Sequence, residues 1–357
     1  MAGATSTNDD LAPACELPAV YDVSDLRQQL QQQHSELAEL NSQFLSMESD
    51  TVPHHSSISY QLLKDNKSQF SHHTGFPDTA TFTCVLDFAS RFSPLVPSRK
   101  TTLLSTEDQL LITLMKLRHN FTHKHLALLF NLGTATITYI TSKWIDLLHE
   151  LLFVGIMQAG GIPSRQKNLG SMPKAFESFQ GARITLDCTE IQCAVPRGSM
   201  CDQSATFSHY KQRNTFKALL GVAPNGTITF VSELYPGSTS DKQIVVHSKV
   251  LDQMVPGDLV LADKGFLLHD ILPQGVSASI PPFLTTQQFT KEQVAETTRI
   301  ARACIHVERA IQRLKIYKIL SLIPASYRPK ATKIFQVCAC LANFQSPVIQ
   351  STYSNPS

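Results

Sequence analysis

Two apolar runs in this chain end abruptly on an acidic residue, and that narrows what the chain can fold into. In Arg183-Ile-Thr-Leu-Asp187-Cys-Thr-Glu190, alternating apolar residues and a β-branched Thr read as a buried strand that delivers Asp187 to its end. Asp258-Leu-Val-Leu-Ala-Asp263-Lys-Gly265 has the same character, an apolar run stopping at Asp263 and then Gly. A carboxylate at the rim of a sheet is held on a rigid element, as a metal ligand must be. A third stretch, Ile305-His-Val-Glu308-Arg309-Ala-Ile311, reads as helix and carries one acid among bases.

These residues predict one divalent-metal site built from Asp187, Asp263 and Glu308. Hard cations such as Mg²⁺ take oxygen ligands. Two of them about 4 Å apart activate a nucleophile on one side of a phosphodiester and stabilise the leaving oxygen on the other. Charge near Glu308 fits that chemistry. Arg299, Arg302, Arg309, Arg313, Lys315, Lys318, Arg328, Lys330 and Lys333 surround it, and Glu308 is the lone acid from 299 to 333. A solvated structural helix normally mixes signs at spacings of three and four. Lys315, two helical turns past Glu308, is placed to reach a phosphate.

Upstream of the first strand the pattern is helical. Ser105 opens a helix to about Arg118, Thr122 caps one from His123 to Phe130, and Asn131-Leu-Gly133 turns into a helix capped by Thr134 and running to about Leu152. Two helices joined by a short turn containing Gly form the helix-turn-helix pattern. A face bearing Thr136, Tyr139, Thr141 and Lys143 is its candidate DNA reader. Further upstream, Leu26, Leu30, Leu37, Leu40, Phe44 and Met47 make a short coiled-coil stripe, able to self-associate or to dock on its own protein. His54, His55, His72 and His73 lie in polar sequence without regularly spaced Cys or carboxylates, a poor zinc pattern.

Beyond Glu190 the sequence predicts strands from Phe216 to Val222 and from Thr227 to Leu234, flanking the turn signal Asn225-Gly226. A helix from Lys242 to Leu251 follows, with Asp241 at the capping position, then the strand ending at Asp263. A Pro- and Gln-rich loop covers 273–289, and helices follow over 290–320 and 331–343. Asp241 is the rival second carboxylate, read as a capping or ligand-supporting group. Glu190 is expected on the sheet face opposite Asp187. Lys211, Arg213 and Lys217 are candidate phosphate contacts, and Cys188, Cys193, Cys201, Cys338 and Cys340 are expected in the core. The outcome is a mixed α/β layer fold.

Composition excludes little else. With 42% hydrophobic and 17% charged residues the chain reads as a globular protein, and a formal net charge of +2 says nothing about partners. No apolar run reaches the roughly 18 residues a membrane span needs. The N-terminus lacks a secretory pattern, and the 8 Cys are scattered rather than framed as disulfides.

Several ordered motifs together resemble a known family. Asp187-Cys-Thr-Glu190, Tyr210-Lys211 with Asn214-Thr215, Tyr235-Pro-Gly237-Ser-Thr-Ser-Asp241-Lys, Ala262-Asp263-Lys-Gly265-Phe266 and His306-Val-Glu308-Arg309-Ala-Ile311 with Lys315 resemble the DDE superfamily endonuclease of Harbinger and IS5-like transposases. The resemblance covers about residues 180 to 345, and the preceding helices resemble the helix-turn-helix that accompanies this nuclease. It implies a ribonuclease-H-like fold, two divalent ions (Mg²⁺ or Mn²⁺), the triad Asp187, Asp263 and Glu308, double-stranded DNA as partner, at least a dimer, and a nuclear location. DNA contacts are expected from Lys143, Lys211, Arg302, Arg309, Arg313 and Lys315. Two departures are visible: Cys304 stands four residues before Glu308, where relatives usually carry Arg, and no THAP-type zinc-finger ligands occur in residues 1 to 100. These leave as alternatives a non-catalytic, host-adopted DNA-binding protein and an assembly factor working through the coiled coil. The expected organisation is a disordered 1–20, coiled coil 22–48, linker 49–80, helix-turn-helix domain 81–155, endonuclease domain 180–345 and a disordered tail 346–357.

Overall fold

The computed structural model describes residues 57–92, 104–263, 265–282 and 290–346, together with Gln32 and Ser35. The chain divides into Met1–His55 and Ser56–Ser357, and the sheet and its helices all belong to the second unit. The expected coiled coil beyond Gln32 and Ser35, the expected disordered start, and the expected tail beyond Ser346 lie outside the described residues.

A seven-stranded sheet carries the second half of the chain. Its long central strand is β1 (Ala182–Gln192), flanked on one side by β3 (Arg213–Val222) and on the other by β6 (Leu259–Ala262). β3 runs antiparallel to β1 and pairs in turn with β4 (Ile228–Val231), whereas β6 and β7 (Ser277–Ser279) run parallel to β1. Two-residue strands β2 (Phe207–Ser208) and β5 (Tyr235–Pro236) also pair with β3. Three antiparallel strands continuing into two parallel ones, with helices on the faces, make the mixed α/β fold ribonuclease-H-like.

Local sequence explains the turn between β3 and β4. Gly226 donates to the Ala223 carbonyl at 2.8 Å, closing a turn with Pro224 in its second position, and Gly226 takes φ +87°. A second glycine is needed for space: a Cβ on Gly221 would meet Ile184 Cδ1 at 2.3 Å, so the side chain of β1 packs directly over the backbone of β3.

The helical half begins earlier than the sequence predicted. Where a linker was expected over 49–80, the chain forms helices α1 (Tyr60–Leu63), α2 (Lys67–Thr74) and the start of α3 (Thr79–Ser90), which bury Leu63, Phe70 and Phe82. Then come α4 (Thr106–His119), α5 (His123–Leu129) and α6 (Thr134–Leu148), opened by Ser105, Thr122 and Gly133. Thr134, expected to cap α6, is its first residue instead. The α-helix ends at Leu148 and continues as a π-helix over His149–Gln158. Two short helices, α7 (Arg165–Leu169) and α8 (Met200–Thr206), lie on either side of β1 in the chain.

Four further differences concern the sheet domain. The helix α9 (Asp241–Ser248) is capped by Ser240 in a capping box with Gln243, so Asp241 is not its cap. It also ends sooner than expected, at Lys249 with φ +56°. The stretch read as loop over 273–289 contains β7; residues 283–289 lie outside the described ones. Helix α10 (Lys291–Leu314) stops six residues before the expected end, and α11 (Ala331–Ala342) follows after short 3₁₀ turns.

The helix-turn-helix and the sheet domain, expected as separate bodies, share one apolar core. It runs from Phe70, Leu114 and Trp144 through Val307, Phe335 and Val337 to Leu220 and Ile191. Polar bonds reinforce the join: Arg118 Nη1 donates to the Ile316 carbonyl at 2.6 Å, His123 meets the Tyr327 hydroxyl at 2.7 Å, and Lys330 reaches Asp146 at 2.5 Å. Among the described residues no helix is long and apolar enough to cross a membrane.

Candidate active site

Register decides where the two strand acids fall. Leu186 of β1 pairs with Ala262 of β6 in a parallel ladder, so Asp187 and Asp263 stand side by side one residue beyond. Parallel neighbours in register point to the same face and lie about 4.8 Å apart. That face is fixed by what packs on it. Thr185 pairs with Leu261, and Leu261 packs against Ile300 and Ala303 of α10. Asp187 pairs with Leu220, which shares the core of Val307 and Ala310. The opposite face, with Ile184 and Leu186, packs on Ile244 and Val245 of α9. Asp187 therefore faces the helix that carries Glu308.

Electrostatics reports the same closeness. Burial pushes the Asp187 carboxyl up to about 7; a backbone hydrogen bond at Cys188 pulls it down, while the charges of Asp263, Asp241 and Glu308 push it further up. Asp263 and Glu308 are exposed, so the pocket opens to solvent over a half-buried Asp187. The three carboxylates do not all close to within 4.8 Å of one another, a limit met among the described residues by a trio of imidazoles elsewhere. Crowded carboxylates with a solvent-facing side fit hard divalent cations, which keep water among their ligands. The donor set thus fits such ions.

Cys304, one helical turn before Glu308, sits in the middle of this group. Burial and then Asp263, Asp187 and Glu308 push its thiol up to about 12, so it stays neutral where a base would have offset the acids. Nothing in its sequence surroundings marks this, apart from the expected Arg.

Asp241 lies on the α9 side of the sheet, ion-paired to Lys217 at 2.6 Å, with its Oδ2 at 3.3 Å from where a Gly265 Cβ would be. Burial alone would lower Lys217, and the bond to Asp241 holds it above its ordinary value. The capping part of the Asp241 reading fails, and the phosphate reading of Lys217 meets a competing ion pair. Asp241 is held by a lysine rather than serving as a cap, and Lys217 is committed to Asp241 rather than available for a phosphate. Glu190 lies on the face opposite Asp187, where Thr215 donates to it at 2.8 Å.

Three bases gather nearby. Lys211, Arg213 and Lys315 line a groove of about 290 Å³ with Glu190, Thr215 and Ser321. Burial and Lys211 lower the Lys315 ammonium, while Asp187 and Glu190 raise it, so Lys315 links this groove to the acids. Arg302 and Arg309 are exposed on α10, and Arg313 is half-buried near its end. On the helical unit, Lys143 is exposed with its ammonium 6.0 Å from the Tyr139 ring. Thr141, expected on the reading face, is fully buried and donates to the Ile137 carbonyl at 2.8 Å, which removes it from that face. Thr138 is exposed instead, and its hydroxyl meets His123 Nδ1 at 2.8 Å. Of the five cysteines expected in the core, Cys201 is exposed, Cys188 is half-buried, and Cys193, Cys338 and Cys340 are buried.

Comparison with known families places these elements. Residues 186–343 match the family model of the DDE superfamily endonuclease, and residues 102–153 match that of the helix-turn-helix of DDE superfamily endonuclease. No curated protein matches the chain.

Proposed function

We propose that this chain, which belongs to the DDE superfamily endonucleases and carries their helix-turn-helix ahead of the nuclease domain, cuts phosphodiester bonds of double-stranded DNA at Asp187, Asp263 and Glu308. What carries the reading is the meeting of three acids from distant parts of the sequence, one within β1, one just past the end of the parallel β6 and one on the helix that packs across them. Asp187, the most enclosed, would hold divalent ions together with Asp263 and Glu308. Mg²⁺ or Mn²⁺ bound there would supply positive charge at the attacked phosphate and acidify the attacking water.

The chain's own residues do the rest. Lys315, Lys211 and Arg213 hold backbone phosphates beside the acids, and Arg302, Arg309 and Arg313 extend that surface along α10. Lys217 fixes Asp241 against the Gly265 turn, behind Asp263. The exposed side of α6, with Lys143 and Thr138, offers duplex contacts. Work on chromosomal DNA implies the nucleus, and joining two DNA ends implies at least a dimer, for which the heptad-like stripe at 22–48 is the candidate.

Nicking of supercoiled plasmid tests this directly. Wild-type protein should nick with Mg²⁺ or Mn²⁺ and stop with EDTA, while Asp187→Ala and Glu308→Gln should bind DNA but not nick. A second reading, a DNA-binding protein without catalysis, is favoured by one observation: a neutral Cys304 stands beside the acids where the family resemblance leads one to expect Arg. DNA affinity that survives EDTA, with no nicking at any metal concentration, would establish that reading instead.

A further inference from the structure

Far from the acids, three histidines meet where two helices end. His72 and His73 lie in the last turn of α2, and His119 is the last residue of α4. One ring nitrogen from each comes within 4.8 Å of the others. Ring centroids are 5.1 Å apart for His72 and His73, 4.7 Å for His72 and His119, and 5.2 Å for His73 and His119.

Packing alone leaves something over. His73 Nδ1 and His119 Nε2 are buried without a hydrogen-bond partner. A buried polar nitrogen with no partner is destabilising, and native structures rarely tolerate two in one cluster. Burial also disfavours the charged form of two of these rings. Burial, then His73, His72 and Arg118, bring His119 down to about 4; burial and His72 lower His73. Phe121 stacks on His119 with centroids 4.8 Å apart and 19° between planes, which fixes the ring. The nearby Arg118 charge opposes a cation, yet its guanidinium is engaged by the carbonyls of His72 at 3.3 Å and Ile316 at 2.6 Å.

We propose that His72, His73 and His119 bind one Zn²⁺ ion, with water in the fourth position on the exposed His72 side, and that this ion staples α2 to α4. Imidazole donors suit zinc, whereas Mg²⁺ and Mn²⁺ prefer oxygen, so the ions proposed for the carboxylates do not compete here. Ligands at about 2.0–2.1 Å in a tetrahedron lie about 3.3 Å apart, so the rings draw together through side-chain rotation. The sequence hid this site because its third ligand lies outside the His-rich stretch, at the end of a separate helix.

Co²⁺ serves as the spectroscopic probe. Full-length chelator-treated protein should take one equivalent of Co²⁺ with the strong visible bands of a four-coordinate nitrogen site, and Zn²⁺ should displace it and raise Tm. The Asp187→Ala, Glu308→Gln double variant should behave the same, which separates this site from the carboxylates. His119→Gln should lose both the bands and the Tm shift. His72→Gln, at an exposed position that folding tolerates, should weaken Zn²⁺ binding by about tenfold or more. Wild-type protein lacking the bands, or His72→Gln binding Zn²⁺ as tightly as wild type, overturns the proposal.

Discussion

The neighbouring strands β1 and β6 carry acids at both ends of their shared run, and the two ends treat them in opposite ways. At the start, Asp258 is fully buried and answered by protein: Arg183 pairs with it at 2.5 Å and Arg165 at 3.1 Å. Arg183 also donates to the carbonyls of Pro163 and Ile162, which completes its hydrogen bonding. At the finish, Asp187 and Asp263 face Glu308, and the position one turn away holds Cys304 rather than a base. The first end is a closed ion pair that locks the strand starts. The second keeps negative charge crowded together, a cost that a purely structural sheet would shed. The chain neutralises the buried Asp258 with two arginines, and at the other end it keeps the Asp187 carboxyl raised by burial and by neighbouring acids.

That contrast can be broken at several points. The largest effect should follow Asp187→Ala or Glu308→Gln, which should lower the metal-dependent nicking rate by at least about 10²–10³-fold while leaving the fold intact by circular dichroism. Next, Arg183→Met leaves Asp258 buried with only the half-exposed Arg165, and should cost about 3–5 kcal/mol in urea denaturation. If that loss is absent, the two ends are not different in kind.

Asp187→Asn should do the reverse and stabilise metal-free protein by up to roughly 4 kcal/mol at pH 8. The sign follows from Asp187 keeping its proton up to about 7 in the folded chain against 3.8 as a free group. Between those values the folded state binds more protons than the unfolded one, so stability falls as pH rises through the window. Below it the Asn variant should show no advantage. For the same reason, Mg²⁺ binding near pH 6 should release close to one proton per chain, and near pH 8 almost none; calorimetry in buffers of different ionisation enthalpy reads this. The smallest effect is expected for Cys304→Arg, which places a cation among the acids. It should lower the Asp187 pKa and steepen the salt dependence of DNA binding by about one counterion.

Much of the site was legible because strands and caps write themselves locally. Alternation around Leu186 and the apolar run before Asp263 located both strand acids, and the Glu308 helix, expected from 290, does start there, where Thr290 and Gln293 form a capping box. What failed was what depends on partners far along the chain. β7 is Ser277-Ala-Ser279, without an apolar signal, and is a strand because β6 offers it a ladder. Helix α2 has little amphipathic pattern and forms because Phe70 is driven fully inside. Asp241 looked like a cap because acids favour that position, but Ser240 took it and Lys217 claimed the carboxylate.

The shared core beneath Trp144, Val307 and Phe335 has a mechanical consequence. With no tether between them, the helices that would grip a duplex and the acids that would sever it cannot swing independently. The offset between grip and cut is then a fixed length of DNA, set by side-chain packing as by the jaws of a caliper.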